Sequence, residues 1–191
     1  MDKKSKIYIA GHKGMVGSSI LRALSKKGYI NLVIASSKEL DLRNQQEVNN
    51  FFTKERPDYV ILAAAKVGGI RANIKYPGEF IYDNLAIQNN VINASKFFEV
   101  KKFIFMGSSC IYPKDCTQPM KEEYLLSGPL EPTNEGYALA KIAGIIMLNS
   151  FKKQYGLNSI SIIPPNLYGP NDSFDLDHCH VLSALVKRFS D

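Results

Sequence analysis

Ile7-Tyr8-Ile9-Ala10-Gly11-His12-Lys13-Gly14-Met15-Val16-Gly17 decides the fold. A short apolar run ends at a glycine, glycines recur at three-residue spacing, and an amphipathic stretch opens among them. Such a pattern reads as strand, tight turn, helix. In a G-x-x-G-x-x-G turn so placed, the first glycine permits the turn, the second lets a pyrophosphate approach the backbone, and the third lets helix and strand pack closely. The helix N-terminus then offers an anion free N–H groups and the positive end of the dipole. Lys13 adds a positive charge on the same loop. The stretch predicts a dinucleotide-binding unit in which Gly11, Lys13, Gly14, Met15, Val16 and Gly17 touch the cofactor.

The rest of the 191 residues repeats the alternation. Apolar runs at 7–10, 32–35, 59–64, 103–106 and 159–163 predict strands. Residues 15–27, 45–54, 80–98, 134–155 and 181–189 predict helices, with Gly28, Pro57 and Gly156 as stops. Residues 66–78 and 113–132 read as loops. Near-continuous apolar strands alternating with helices imply a parallel sheet covered on both faces. Right-handed crossovers make it a doubly wound α/β fold, one domain over residues 1–191. Ligands in such sheets lie beyond the carboxyl ends of the strands, so the residues there are the ones to inspect.

Composition narrows the classes. Hydrophobic content of 45% and charged content of 22% are those of an ordinary globular domain. No apolar run reaches the roughly 18 residues of a membrane helix. The charged start, Met1-Asp2-Lys3-Lys4-Ser5-Lys6, leads into a strand without a signal-peptide pattern, so a cytoplasmic location and no membrane partner are expected. The net charge of +6 is scattered, unlike the clustered patch of a nucleic-acid binder, and no nucleic-acid partner is expected. It fits a solvated basic surface or a protein that handles anionic small molecules. Three cysteines, Cys110, Cys116 and Cys179, lack zinc-site spacing and are odd in number, so neither a metal nor a disulfide is expected.

Where an NAD site would carry an acid after the second strand, Ser36-Ser37-Lys38 stands instead. With no carboxylate there to repel a 2′-phosphate, Ser36, Ser37 and Lys38 could bind one and favour NADP, although Glu39 follows immediately. Asp41 and Leu42 could meet the adenine edge. Gly107-Ser108-Ser109-Cys110 follows the fourth strand, and Tyr137 and Lys141 lie four apart, on one face of the next helix. A lysine so placed is expected to lower the phenol's pKa. The tyrosine then exchanges a proton with a carbonyl or carbinol oxygen, which a serine hydroxyl can also bond. Alone, Cys110 fits a small buried apolar residue as well as an acid–base group.

These segments resemble the extended short-chain dehydrogenase/reductases of the Rossmann type, and within them the GDP-keto-sugar epimerase–reductases. The match runs the length of the chain. It rests on Ala10-Gly11-His12-Lys13-Gly14-Met15-Val16-Gly17, Ala63-Ala64-Ala65-Lys66-Val67-Gly68-Gly69-Ile70, Gly107-Ser108-Ser109-Cys110-Ile111-Tyr112-Pro113, Tyr137-Ala138-Leu139-Ala140-Lys141-Ile142-Ala143-Gly144 and Asn166-Leu167-Tyr168-Gly169-Pro170. The resemblance implies NADPH-dependent conversion of GDP-4-keto-6-deoxy-D-mannose to GDP-L-fucose, by epimerisation at C3 and C5 and reduction at C4. It implies that Cys110 and His180 exchange the epimerisation protons, and that Ser108, Tyr137 and Lys141 serve the reduction. It adds Ala63, Ala64, Ala65, Lys141, Pro164, Asn166, Leu167 and His180 to the cofactor's contacts. Val67, Gly68, Ser109, Asn166 and Lys187 fall to the substrate, a GDP-sugar. It further implies a homodimer through helices 80–98 and 134–155.

Departures accompany the match. Lys13 stands where such enzymes usually carry arginine, and Ala35 and Ser37 where they offer basic residues to the 2′-phosphate. Family members also continue well beyond this length, so most of the C-terminal substrate lobe is expected to be absent. Two other readings remain: a related nucleotide-sugar epimerase or dehydratase that retains NAD, and a cofactor-binding fragment without turnover.

Overall fold

The computed structural model describes residues 1–175 and 181–190. Among these residues five parallel strands form one sheet: β1 (Ile7–Ala10), β2 (Leu32–Val33), β3 (Tyr59–Leu62), β4 (Lys102–Met106) and β5 (Ser159–Ile162), in the order β2-β1-β3-β4-β5. The chain leaves β1 toward β2, then returns past β1 to β3. The order reverses there, so a crevice opens between the carboxyl ends of β1 and β3, where doubly wound sheets bind ligands.

Among the described residues five α-helices connect the strands, α1 (Met15–Lys26), α2 (Gln45–Glu55), α3 (Ile70–Lys75), α4 (Pro77–Phe97) and α5 (Glu135–Tyr155), and α6 (Val181–Ser190) comes after β5. Gly28 and Gly156 end α1 and α5 with left-handed φ of 79° and 73°, as their positions predicted. Two differences from the expected pattern stand out. The segment expected to be a loop at 66–78 contains α3, which at six residues is too short to show a helical period. α4 starts three residues earlier than its apolar pattern, because Pro77 occupies the first turn, where a missing N–H costs nothing.

The two faces of the sheet are not equally covered. Tyr8, Val60, Leu62, Phe103 and Phe105 point into a large core with Val48 and Phe52 of α2, Val91 of α4 and Leu148 of α5. Ile7, Ile9 and Ile61 face the other way, against Ile20, Leu21 and Leu24 of α1. Beyond α1, on the strand at the sheet's edge, Ile160 and Ile162 remain 47% and 42% exposed. Their register partners on β4, Ile104 and Met106, lie on the same face. The expectation of full burial on both faces therefore fails at β5.

Candidate active site

Because every strand is parallel, the segments that follow them share one rim: Gly11 after β1, Ser36 after β2, Ala63 after β3, Gly107 after β4 and Pro164 after β5. The glycine loop shows why its residues are small. Gly11 has φ of 84°, and a Cβ there would sit 2.6 Å from the Ala64 backbone nitrogen. A Cβ on Gly17 would lie 2.1 Å from the Gly11 carbonyl oxygen, so α1 could not close on β1. Above Gly14 the space is open, its nearest neighbour for a Cβ being the Gly11 oxygen at 3.5 Å. α1 has no side-chain cap and no acid in its first turn, which leaves its amino-terminal N–H groups for an anion. In the same loop His12 Nδ1 is buried without a hydrogen-bond partner among the described residues. A cradle closed to side chains and open to a phosphate fits the pyrophosphate of a dinucleotide.

Around that loop an ion-pair network ties the rim together. Arg43 Nη2 meets Asp41 Oδ2 at 2.9 Å and Arg43 Nη1 meets Asp83 Oδ1 at 3.2 Å. Lys66 reaches Asp83 at 3.2 Å and also pairs with Glu79. Asp83, on α4, thus braces the segments after β2 and β3 at once. The Asp41 side chain is engaged with Arg43, while Leu42 packs on the core. Ala63, Ala64 and Ala65 are half-buried at the crevice.

The reactive groups gather after β4. Ser108 opens a short turn over Ser109–Ile111, and its Oγ lies 2.9 Å from Cys110 Sγ. Tyr137 and Lys141 face this turn from the first turns of α5. Lys141 is 4% exposed and donates from Nζ to the Met106 carbonyl at 2.7 Å. Its ammonium also stands 5.7 Å from the Tyr137 ring centre. α5 comes this close because Gly144 faces Phe105 and Gln88, where a Cβ would approach to 2.7 Å and 2.9 Å. Gln88 Nε2 further donates to the Ala140 carbonyl at 2.6 Å.

Burial dominates the electrostatics. It pushes the Tyr137 phenol up to about 12, with charge on Cys110 adding and a hydrogen bond from Ser108 opposing. Burial likewise pulls Lys141 down to about 8, with Cys110 opposing. The expectation that Lys141 would lower the phenol's pKa is therefore corrected: the lysine is directed at a backbone carbonyl, and desolvation governs both groups. Thiol, phenol and amine nevertheless act on one another within one cluster. At neutral pH this makes Tyr137 a proton donor in reserve.

Tyr137 also lines a cavity of about 290 Å³ with Asn73, Phe80, Pro132 and Asn134. Asn134 Oδ1 is buried there without a hydrogen-bond partner among the described residues. Sequence patterns give no signal for the Met106 carbonyl, because a backbone oxygen carries no residue identity, nor for Asn134 Oδ1, whose burial is set by the fold. Val67 is exposed, Gly68 is half-buried and packs near Ala72 and Phe80, and Ser109 is half-buried beside Cys110. Pro164 is half-buried, and Asn166 and Leu167 are exposed at the rim after β5. Ser37 and Lys38 are exposed after β2, and Lys187 is half-buried on α6. His180, with His178 and Cys179, lies outside the described residues.

The sequence model of the NAD dependent epimerase/dehydratase family matches residues 7–191. GDP-L-fucose synthase 1 of Arabidopsis thaliana is 55% identical over 188 residues, which are 98% of this chain and 58% of that protein. GDP-L-fucose synthase of Escherichia coli is 53% identical over 186 residues, 97% of this chain and 58% of its own length. Among solved structures, MlghC, a GDP-mannoheptose C4 reductase from Campylobacter jejuni with NADP bound, superposes with a TM-score of 0.92 at 48% identity, covering 99% of this chain and 56% of that one. The chain thus spans a little over half the length of the relatives it matches.

Proposed function

Because the chain belongs to the NAD dependent epimerase/dehydratase family, we propose that it carries the cofactor-binding and proton-transfer half of an NADPH-dependent enzyme that turns GDP-4-keto-6-deoxy-D-mannose into GDP-L-fucose. The observation that supports this most is the joint placement of Cys110, Ser108, Tyr137 and Lys141 at one rim position. A plain ketone reductase needs the phenol, the lysine and the serine. It has no use for a thiol beside them, whereas epimerisation next to a ketone needs a proton-exchanging group.

In this reading the glycine loop and the amino end of α1 hold the pyrophosphate, Ser37 and Lys38 lie near the 2′-phosphate, Asp41 and Leu42 near the adenine, and Ala63, Ala64 and Ala65 line the crevice. Lys141 holds the nicotinamide ribose, near Pro164, Asn166 and Leu167. When bound, NADPH supplies the hydride that reduces C4. Cys110, as base, takes the proton from the carbon beside the C4 ketone, and the substrate's enolate is held through its oxygen by Ser108 and Tyr137. An acid on the opposite face, His180 in the family resemblance, returns the proton. In the reduction, Tyr137 gives its proton to the C4 oxygen while Ser108 keeps that oxygen in place. Val67, Gly68, Ser109, Asn166 and Lys187 surround the sugar nucleotide.

Incubation with GDP-4-keto-6-deoxy-D-mannose and NADPH in heavy water tests the assignment. Cofactor consumption and deuterium at C3 and C5 are expected together. Cys110→Ser should lose the label and Tyr137→Phe the consumption. Label that persists in Cys110→Ser removes the epimerase assignment. A second reading, a C4 reductase of GDP-keto-heptoses, is favoured by the likeness to MlghC. It predicts cofactor consumption with a GDP-4-keto-heptose and no label at the neighbouring carbons.

We also propose that two copies pair through α4 and α5. Tyr82 on α4, with Leu139 and Ile146 seven apart on α5, are exposed apolar residues on these adjoining helices. Sedimentation should give a dimer that Ile146→Glu dissociates, and a wild-type monomer would remove this reading.

A further inference from the structure

After β2 the chain turns tightly, with the Glu39 and Leu40 N–H groups both donating to the Ser36 carbonyl, at 3.0 Å and 2.9 Å. The Glu39 side chain folds back over this turn. Its Oε2 accepts from the Ser36 N–H at 2.7 Å and from the Ser36 hydroxyl at 2.6 Å. Lys13 and His12, on the glycine loop across the crevice, attract the same carboxylate. The Ser36 bonds, with a smaller contribution from those two residues, hold its carboxyl below the usual range.

A backbone N–H and a hydroxyl meeting on one anion, with an ammonium near enough to attract it, are the donors and the charge that a phosphate monoester takes. Their place fits that ligand. In doubly wound folds the adenosine ribose rests between the end of the second strand and the glycine loop. An acidic residue facing the 2′-hydroxyl there suits NAD, while a 2′-phosphate needs positive or donating groups. Here the donors are present but already engaged by an anion of the chain itself.

We propose that Glu39 sets the choice between NADP and NAD in this chain, as a resident anion that the 2′-phosphate must displace from Ser36. NAD, which has only a hydroxyl at that position, leaves Glu39 on Ser36 and is indifferent to its charge. The proposal rests on the dinucleotide site described above. It differs from a purely structural role, in which Glu39 caps the turn as the acid of a Ser-x-x-Glu box. A cap lost would disturb both cofactors alike, whereas a lost charge changes one.

Calorimetric titration of the full chain with NADP⁺ and with NAD⁺ separates the two. Glu39→Gln keeps the length and an oxygen acceptor for Ser36 and removes only the charge. It should tighten NADP⁺ about tenfold, the scale of one like-charge contact near a surface. NAD⁺ should stay within about twofold. Ser36→Ala, which leaves the charge and removes a shared donor, should weaken NADP⁺ more than NAD⁺. An unchanged ratio of the two affinities in Glu39→Gln, or a parallel shift of both, overturns the proposal and leaves Glu39 as a cap. Wild-type protein that binds neither dinucleotide would instead remove the cofactor site itself, and this inference with it.

Discussion

Lys141 is a buried ammonium that donates to one backbone carbonyl and stands over the faces of two rings. Its pKa of about 8 lies below its unfolded value, so between pH 8 and about 10.5 the unfolded chain binds more protons than the folded one. Stability from this group therefore rises with pH across that window and is poorest below it. Lys141→Met should raise resistance to denaturant at neutral pH by about 1–3 kcal/mol, with the advantage shrinking as pH climbs past 8. A variant less stable than wild type at pH 7 would contradict the burial argument. Tyr137 stays protonated through this range, so the descending limb of cofactor consumption belongs to the lysine. Turnover measured from pH 6 to 10 should fall through about 8 as the lysine loses its charge. The four-residue spacing revealed that these two side chains share a helix face. It was silent on how dry that face is, and dryness sets both pKa values.

At the scale of elements, local chemistry was largely legible because strand and helix periods, glycine stops and the loop's spacing all agree. α2 shows the same consistency: Asn44 Oδ1 accepts from the Gln46 and Glu47 N–H groups at 3.0 Å and 3.2 Å. Asn44→Ala should cost about 1 kcal/mol in thermal or chemical denaturation and leave cofactor binding unchanged. Gly17→Ala should do the opposite in kind. The added methyl would strike the Gly11 oxygen, lift α1 off β1 and reduce dinucleotide affinity at least tenfold in a direct titration. Affinity within a factor of about two of wild type would mean that α1 and β1 tolerate separation. What periodicity missed was short or tertiary in origin. α3 spans too few residues to display a period, and its place is fixed by Asn73 Nδ2 donating to the Gly68 and Gly69 carbonyls. The donors of Ser36 are legible in the sequence, yet their capture by Glu39 depends on a fold-back that residue order does not encode.

For the whole molecule, the reversal of strand order at β1 and β3 gathers distant residues at one rim, and parallel direction ensures that they all face the same way. That much followed from alternating strands and helices. The uneven cover of the sheet did not, since Ile160 and Ile162 read as core residues in any apolar pattern. No helix among the described residues is long and apolar enough to cross a membrane. The bare half of β5 has a practical outcome on the bench. Greasy side chains lying flat on an unpaired margin make a sticky seam, one that should light up an environment-sensitive naphthalene dye and cause clumping in concentrated ammonium sulfate. Polar replacements, Ile160→Thr together with Ile162→Thr, should dim the dye and keep the preparation clear.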